Sequence, residues 1–517
     1  MPPQCSCNLI LPDGHQFPSD NASSKSKPMK SARKSFMRSR AIAAATAILS
    51  VATFLTGLLS LDRQIEGPFA VTKASASMPS SSFPADKEIA KILAERIDIR
   101  RESVGIVVGT IGPHGRSIVA HGKFGANDPR KVDGNTVYEI GSITKGFTGL
   151  LLADMVASGE VGLDDPLAKY MPEGVTVPER AGKSITLADL ATHHSSLPSL
   201  PDDLEPPDTL NPYAAYTTEQ LYRFLSRYQL PRDIGADFEY SNTGFGLLGH
   251  ALARRAGVDY ETLVTQRITN PLGMSSTAIT LSPELAGRMA TGHNGDLQPV
   301  PNWDLPAIAG AGALRSSAND LLNLLAMAVS TEKSPLSDAV AAASVKRKPV
   351  NDGTQVGLAW MITESSSGDI VWHSGGTGGF VSFFGFHPAS RTGVVVLSNS
   401  DADVNDIGMH LLNRDIPLSE PKPKPVEAVI DPKLLDGYVG RYQLAPKMVF
   451  DITRDGDKLF AQLTDQPRFR LFPEGGHRFF YKDVEAAITF TQADASPSPS
   501  LTLHQFGEHI SAPRVTD

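Results

Sequence analysis

Tyr138-Glu-Ile-Gly-Ser-Ile-Thr-Lys-Gly-Phe-Thr-Gly-Leu150 places a serine three residues before a lysine, at the start of an apolar segment. Phe147, Leu150, Leu151 and Met155 recur there at helical spacing. Residues three apart on a helix share a face, so the Lys145 amine lies within reach of the Ser142 hydroxyl. Serine is a poor nucleophile at neutral pH and needs such a neighbour to take its proton. The helix start also offers free N–H groups and the positive end of the helix dipole, which favour developing negative charge. The same spacing recurs at Ser24, Ser31, Ser330 and Ser419. The first two lie in a basic leader, Ser330 follows a helical run, and Ser419 precedes Pro421-Lys-Pro-Lys-Pro425. Only Ser142 opens a long apolar helix.

At 517 residues the chain exceeds one ordinary core, so two or three folded units are expected. With 41% hydrophobic and 20% charged residues, the composition is globular. A net charge of −8 argues against nucleic acid as a partner, which would want a basic footprint. Cys5 and Cys7 are the only cysteines and precede the folded region, which sets aside disulfides, thiol catalysis and cysteine-held metals. Residues 1–84 read as a signal peptide or membrane anchor with a disordered leader. Lys30, Arg33, Lys34, Arg38 and Arg40 form a basic region, Ala41 to Leu61 an apolar run, and Ala74-Ser-Ala76 a small-residue cleavage site. Export to the periplasm or the medium is expected. The apolar run nears spanning length, so a membrane tether through residues 41–61 is the alternative to cleavage.

Residues 85–418 read as one α+β unit. A helix is expected over Ala85 to Ile99, then a hairpin of Val104 to Ile111 and Ser117 to Gly122 across Gly112-Pro-His-Gly115. A loop-rich, partly helical insert follows the nucleophile helix, with Gly244 to Ala256 and Ala318 to Val329 as its clearest helices. Strands return as Ile370 to Ser374, Phe380 to His387 and Thr392 to Asn399, and Asp403 to Leu412 closes the unit as a helix. Strands from both ends with helices between them predict an antiparallel sheet covered by helices, plus a helical lobe. Residues 419–429 form a stiff Pro/Lys linker. Residues 430–517 change to six short alternating strands between Val449 and Gln505, a small all-β, barrel-like unit.

A lysine-assisted serine needs a second proton-handling group and a rigid oxyanion pocket. Phe238-Glu-Tyr-Ser-Asn242 offers the first: among eleven tyrosines, only Tyr240 has an asparagine two residues on. Either Tyr240 exchanges protons while Asn242 presents an amide, or Tyr240 packs and Asn242 caps the helix from near Gly244. Trp372-His-Ser-Gly-Gly-Thr-Gly-Gly-Phe380 offers the second, because a glycine-dense strand lets backbone N–H groups approach a ligand. The alternative is a glycine-rich turn with a solvated histidine.

In the order Ser-x-x-Lys, Tyr-x-Asn, His-Ser-Gly, the chain resembles the serine hydrolases related to class C β-lactamases, low-molecular-weight penicillin-binding proteins, D-aminopeptidases and β-lactamase-like esterases. The likeness spans about residues 86–415 and includes Leu187-Ala-Asp-Leu-Ala-Thr-His-His-Ser-Ser-Leu-Pro198, Pro271-Leu-Gly-Met274 and Gly310-Ala-Gly-Ala-Leu-Arg-Ser-Ser317. From Leu435, Leu-Asp-Gly-Tyr-Val-Gly-Arg-Tyr442 is similar to the lipocalin-like domain that often follows. The resemblance implies a β-lactamase/DD-peptidase-like fold. It implies an acyl-enzyme on Ser142, with Lys145 and Tyr240 sharing its proton and either one the formal base. Asn242 would hydrogen-bond the substrate amide or Lys145. His373, Ser374 and Gly375 would border the substrate, and the N–H groups of Ser142 and Gly376 would form the oxyanion hole. No cofactor or metal is implied. The substrate would be a β-lactam, a D-amino-acid peptide or a small ester. A carboxylesterase or D-aminopeptidase without useful β-lactamase activity is the alternative, and an acylating sensor with negligible turnover a further one.

Two departures stand out. Where β-lactamases carry Lys-Thr-Gly, the chain has His373-Ser374-Gly375, replacing a permanent cation by a group expected to be partly charged. In Thr192-His-His-Ser-Ser-Leu-Pro198, Ser196 stands where relatives carry glycine, and a reshaped loop is expected. His193 and His194 have no carboxylate partner at a readable spacing and are expected to be structural.

Overall fold

The hairpin across Gly112-Pro-His-Gly115 lies inside the principal sheet of a computed structural model that describes residues 83–208, 210–421, 425–445, 448–464, 468–481, 486–491, 496–505 and 508–515. The leader, apolar run and cleavage site expected within residues 1–82 lie outside the described residues. Among the described residues no helix is long and apolar enough to cross a membrane. Strands β1 (Gly105–Gly112), β2 (Gly115–Gly125) and β3 (Asp128–Lys131) come from one end of the unit. Strands β4 (Lys348–Asn351), β5 (Thr354–Val356), β6 (Met361–Thr363), β7 (Ile370–Gly376), β8 (Val381–His387) and β9 (Thr392–Ser398) come from the other. They form one nine-stranded antiparallel sheet, ordered β4-β5-β6-β7-β8-β9-β1-β2-β3. The two ends meet where β1 pairs with β9, Ile106 opposite Ser398 and Ile111 opposite Gly393.

Side chains alternate across a strand, and here both faces are covered. Ile106, Val108, Val394 and Val396 pack with Ile89 and Leu93 of α1 (Asp86–Ala94) and with Ile407 and Leu411 near the chain's later end. Val107, Val395 and Leu397 belong instead to the cluster holding α2 (Ile143–Ala157). This is why β9 reads as a continuous apolar run rather than an alternating one. The same pressure acts on α2. Twelve of its residues are buried, because the helix runs through the core instead of lying on its surface. A Cβ on Gly146 would lie 2.5 Å from the Trp360 ring, and one on Gly149 would lie 2.3 Å from the Leu358 carbonyl. The lobe contains α3 (Asn242–Ala256), which ends at Gly257 with φ of 74°; α4 (Ala318–Ala328) packs instead on the sheet, with Leu322 against Gly109 and Leu325 against Gly393, and α5 (Asn405–Leu412) closes the unit.

The tail forms eight strands, two more than the alternation predicts: β10 (Gly440–Ala445), β11 (Met448–Asp455), β12 (Lys458–Leu463), β13 (Arg468–Gly475), β14 (Arg478–Phe480), β15 (Ala486–Phe490), β16 (Ser500–Gln505) and β17 (Glu508–Pro513). Each pairs antiparallel with the next, and a bridge between Tyr442 and Arg514 brings the two edges together into a nearly closed barrel. Its interior is filled by aromatic side chains, with Tyr438 stacked on Phe490 at 4.4 Å and Phe479 edge-on to Phe490 at 5.6 Å. Arg514 fastens the seam, donating to the Tyr442 hydroxyl at 2.7 Å and to the Val439 carbonyl at 2.8 Å.

Candidate active site

The loop before α2 is pinned from the sheet. Ile140 donates to the Leu314 carbonyl at 3.1 Å, and its own carbonyl accepts from Ser382 Oγ on β8 at 2.9 Å. Gly141 adopts φ of 47°, and a Cβ there would lie 2.7 Å from the nitrogen and oxygen of Gly376. Only glycine meets both demands. The contact brings the backbone of Ser142 and that of Gly376, the last residue of β7, to one cleft, which Ser142, Gly376 and Asn242 all line. Gly375 packs beneath: a Cβ there would stand 2.0 Å from the Ile140 carbonyl oxygen. Gly375→Ala is therefore expected to cost about 1–3 kcal/mol through overpacking. It should also slow covalent labelling of Ser142, because the residue displaced is part of the nucleophile's own loop. Denaturant unfolding and labelling rates check both effects.

Lys145 is fully buried behind Ser142. Its Nζ lies 2.9 Å from Ser142 Oγ, 2.7 Å from Asn242 Oδ1 and 2.6 Å from the Ala311 carbonyl. Burial holds the amine well below its ordinary pKa. The three oxygen neighbours and the Tyr240 ring, 4.8 Å away, oppose that shift. In the neutral amine, two N–H groups serve Asn242 and Ala311, and the lone pair faces the Ser142 hydroxyl.

Tyr240 hydrogen-bonds Ser142, and burial raises its pKa. Of the two readings of Asn242, the capping one fails. Ser241 is the N-cap of α3, its Oγ accepting from Gly244 N at 2.8 Å, and Asn242 is left to meet Lys145. His373 is buried, with Nδ1 2.6 Å from the Ser374 carbonyl. Burial pushes its pKa down to about 3. The expected partly charged imidazole is thus corrected to a neutral one. Ser374 is corrected too: it alternates to the opposite face of β7 from His373 and Gly375, and meets the site through its carbonyl. Ser196 adopts a left-handed backbone of the kind glycine favours, with φ of 63° and Oγ donating to the Arg232 carbonyl at 2.8 Å.

Sequence reasoning missed the cleft's other wall. Tyr213 and Trp303 line it edge to face at 5.1 Å, with Leu305 and Ile308 beside them, in a cleft of about 320 Å³ open to solvent. Trp303 is fixed by Nε1 donating to the Leu210 carbonyl at 2.9 Å and by its backbone N donating to Glu139 Oε1 at 2.8 Å. Glu139 is itself buried, its pKa raised by burial, and pairs with Arg315 at 3.5 Å. No motif marks these residues. One available signal was that Glu139 and Arg315 both fall inside the quoted family segments. Among the described residues, no side chain lining the cleft is charged.

A serine hydroxyl with a buried amine at hydrogen-bond distance and a buried phenol beside it, in a cleft also lined by Gly376, fits an acyl-transfer site of the serine hydrolase class. The Beta-lactamase family model matches residues 91–416, and the chain belongs to that family. A second model, a domain of unknown function (DUF3471), matches residues 424–511. The chain is 29% identical over 344 residues to the D-alanyl-D-alanine-carboxypeptidase/endopeptidase AmpH of Escherichia coli (strain K12), covering 63% of this chain and 87% of that protein. It is 25% identical over 446 residues to penicillin-binding protein 4* of Bacillus subtilis (strain 168), covering 79% of this chain and 95% of that one. A class C beta lactamase from Rhodobacter sphaeroides superposes with a TM-score of 0.54 at 25% identity, covering 63% of this chain and 97% of its own. The octameric penicillin-binding protein homologue from Pyrococcus abyssi shares the fold at TM-score 0.57 and 23% identity, covering 83% of this chain and 100% of its own.

Proposed function

We propose that the chain hydrolyses D-alanyl peptides and β-lactams through an acyl-enzyme on Ser142. The observation that carries this is the 2.9 Å contact between Lys145 Nζ and Ser142 Oγ at the foot of the cleft. The neutral Lys145 takes the serine proton as Oγ attacks the carbonyl. Tyr240, its phenol kept protonated by a raised pKa, relays a proton to the leaving group. The N–H groups of Ser142 and Gly376 hold the oxyanion, Asn242 orients Lys145, and Gly375 shapes the strand that carries Gly376. Water then releases the acyl group. Residues 85–418 form the catalytic unit in this reading, 419–429 the linker and 430–517 the barrel unit. The basic and apolar leader supports export, with residues 41–61 as a tether if the leader is retained. Fluorescent penicillin labelling followed by turnover of a D-Ala-D-Ala peptide tests the reading. Stable label with no turnover would instead make the protein an acylating sensor.

One observation favours a second reading, a carboxylesterase. The cleft lining is uncharged, and His373 is a neutral imidazole where relatives place a lysine. A substrate carboxylate finds no cation there, whereas an apolar acyl group meets Tyr213, Trp303, Leu305 and Ile308. In this reading, kcat/KM for a short-chain nitrophenyl ester exceeds that for a matched substrate bearing a carboxylate. His373→Lys is then expected to shift the ratio toward the carboxylate by about tenfold or more, as for a charge-assisted hydrogen bond. Steady-state kinetics on the pair measures it, and an unchanged ratio would sink this reading.

A further inference from the structure

His193 lies 47 residues before Tyr240 in the sequence yet is packed directly against it. Its ring stacks on the Tyr240 ring at a centroid distance of 4.4 Å and an interplanar angle of 26°. Phe238 meets the imidazole edge-on at 5.4 Å, Phe245 lies tilted against it at 4.8 Å, and His193 is fully buried. Nδ1 accepts from the backbone N–H of Ser241 at 2.9 Å, and the His193 carbonyl accepts from Glu239 N at 2.8 Å. Two backbone groups flanking Tyr240 are therefore bonded to one residue. The segment that follows continues the grip, with the Pro198 carbonyl accepting from Ser241 Oγ at 2.7 Å and the Ser199 carbonyl from Asn242 N at 3.0 Å.

Because Nδ1 faces an N–H donor, the ring must be neutral and carry its proton on Nε2. Nε2 is buried with no hydrogen-bond partner. A second proton would set two donors against each other at Ser241 and place a cation beside Lys145. The titratable groups facing the ring are Lys145 from α2, His373 from β7, His194 from its own segment and Tyr240. Burial holds His193 well below its ordinary pKa, in keeping with the neutral ring that the Ser241 contact requires. The backbone at His193 is left-handed, with φ of 60°, a conformation in which histidine is enriched among non-glycine residues. Such a conformation persists only where the surroundings over-determine it.

We propose that His193 is a positioning residue that fixes Tyr240, by ring stacking and through Ser241, at the register where its hydroxyl meets Ser142. The inference rests on the roles assigned to Ser142 and Tyr240 above. His193→Asn retains tolerance of the left-handed backbone but removes the stack, whereas His193→Phe retains a stacking ring but removes the acceptor for Ser241. Misplacing a proton-handling group by about 1 Å costs up to about a hundredfold, so kcat per labelled Ser142 should fall by about tenfold to about a hundredfold in His193→Asn. KM should change little, and the pH–rate profile set by Lys145 and Tyr240 should move in both variants. Titrating sites with a fluorophosphonate restricts the comparison to folded enzyme, so a lowered Tm alone does not count. An unchanged kcat and pH profile per labelled site in both variants would overturn the proposal while leaving Ser142 as the nucleophile. Label persisting equally on Ser142→Ala would instead overturn the underlying reading. Should neither variant fold, nitrogen NMR of wild-type histidine rings decides. A neutral Nε2–H tautomer for His193 throughout the neutral range is expected, and a charged ring or the Nδ1–H tautomer contradicts it.

Discussion

Ser142→Ala is expected to reduce turnover of any substrate of this enzyme by about a millionfold, the scale seen when a serine nucleophile is removed from a preorganised site. The change deletes one hydroxyl from a half-buried position at the start of α2 and leaves the apolar burial of that helix intact. Stability should therefore stay near that of the wild type, and unfolding curves recorded beside the kinetics separate lost chemistry from lost fold. In the proposed mechanism, residual rate above the water reaction would come from the N–H groups of residue 142 and Gly376, since alanine keeps its backbone N–H. KM measured on the residual activity should remain close to the wild-type value, because Tyr213, Trp303 and Asn242 still line the cleft.

Lys145→Ala is the second large effect, with kcat expected to fall by about 10²–10⁴, the range for a positioned general base. Its consequences extend further than those of Ser142→Ala. Removing the amine strands Asn242 Oδ1 and the Ala311 carbonyl, each now bonded to Nζ. Unsatisfied buried acceptors cost about 1–3 kcal/mol, so some loss of stability should accompany the loss of rate. In the wild type the sign of the pH dependence follows from which form is active. In the proposed mechanism the base is Lys145, which must be unprotonated, and burial depresses its pKa. Activity should therefore rise as pH increases through that lowered value and then hold level while the raised pKa of Tyr240 keeps its phenol protonated. The rising limb should vanish from the residual rate of Lys145→Ala. His373 contributes no break near neutrality, because its ring titrates only at about 3.

Much of the catalytic unit was legible because its signals are local. Turn glycines delimited β1 and β2, and the helical spacing after Ser142 gave α2. What escaped was set by distance in the fold. The stack of His193 on Tyr240 and the fixing of Trp303 by Glu139 join segments that no spacing rule connects. The neutrality of His373 depends on burial, which its glycine-rich setting disguised as an exposed turn. In the tail, β10 was hidden because its alternation is carried by exposed Arg441 and buried Tyr442, a polar-looking pair, and β17 because His509 and Pro513 interrupt the apolar pattern. The aromatic filling of the barrel likewise appears only once Tyr438, Phe479 and Phe490 are brought together.

The most direct test of the account is peptide-mapped mass spectrometry of the full chain after brief exposure to a fluorescent penicillin and, in parallel, to a fluorophosphonate. One adduct per chain is expected, located on the peptide containing Ser142 and absent from the Ser142→Ala protein. An adduct on another residue, or equal labelling of wild type and Ser142→Ala, would contradict it.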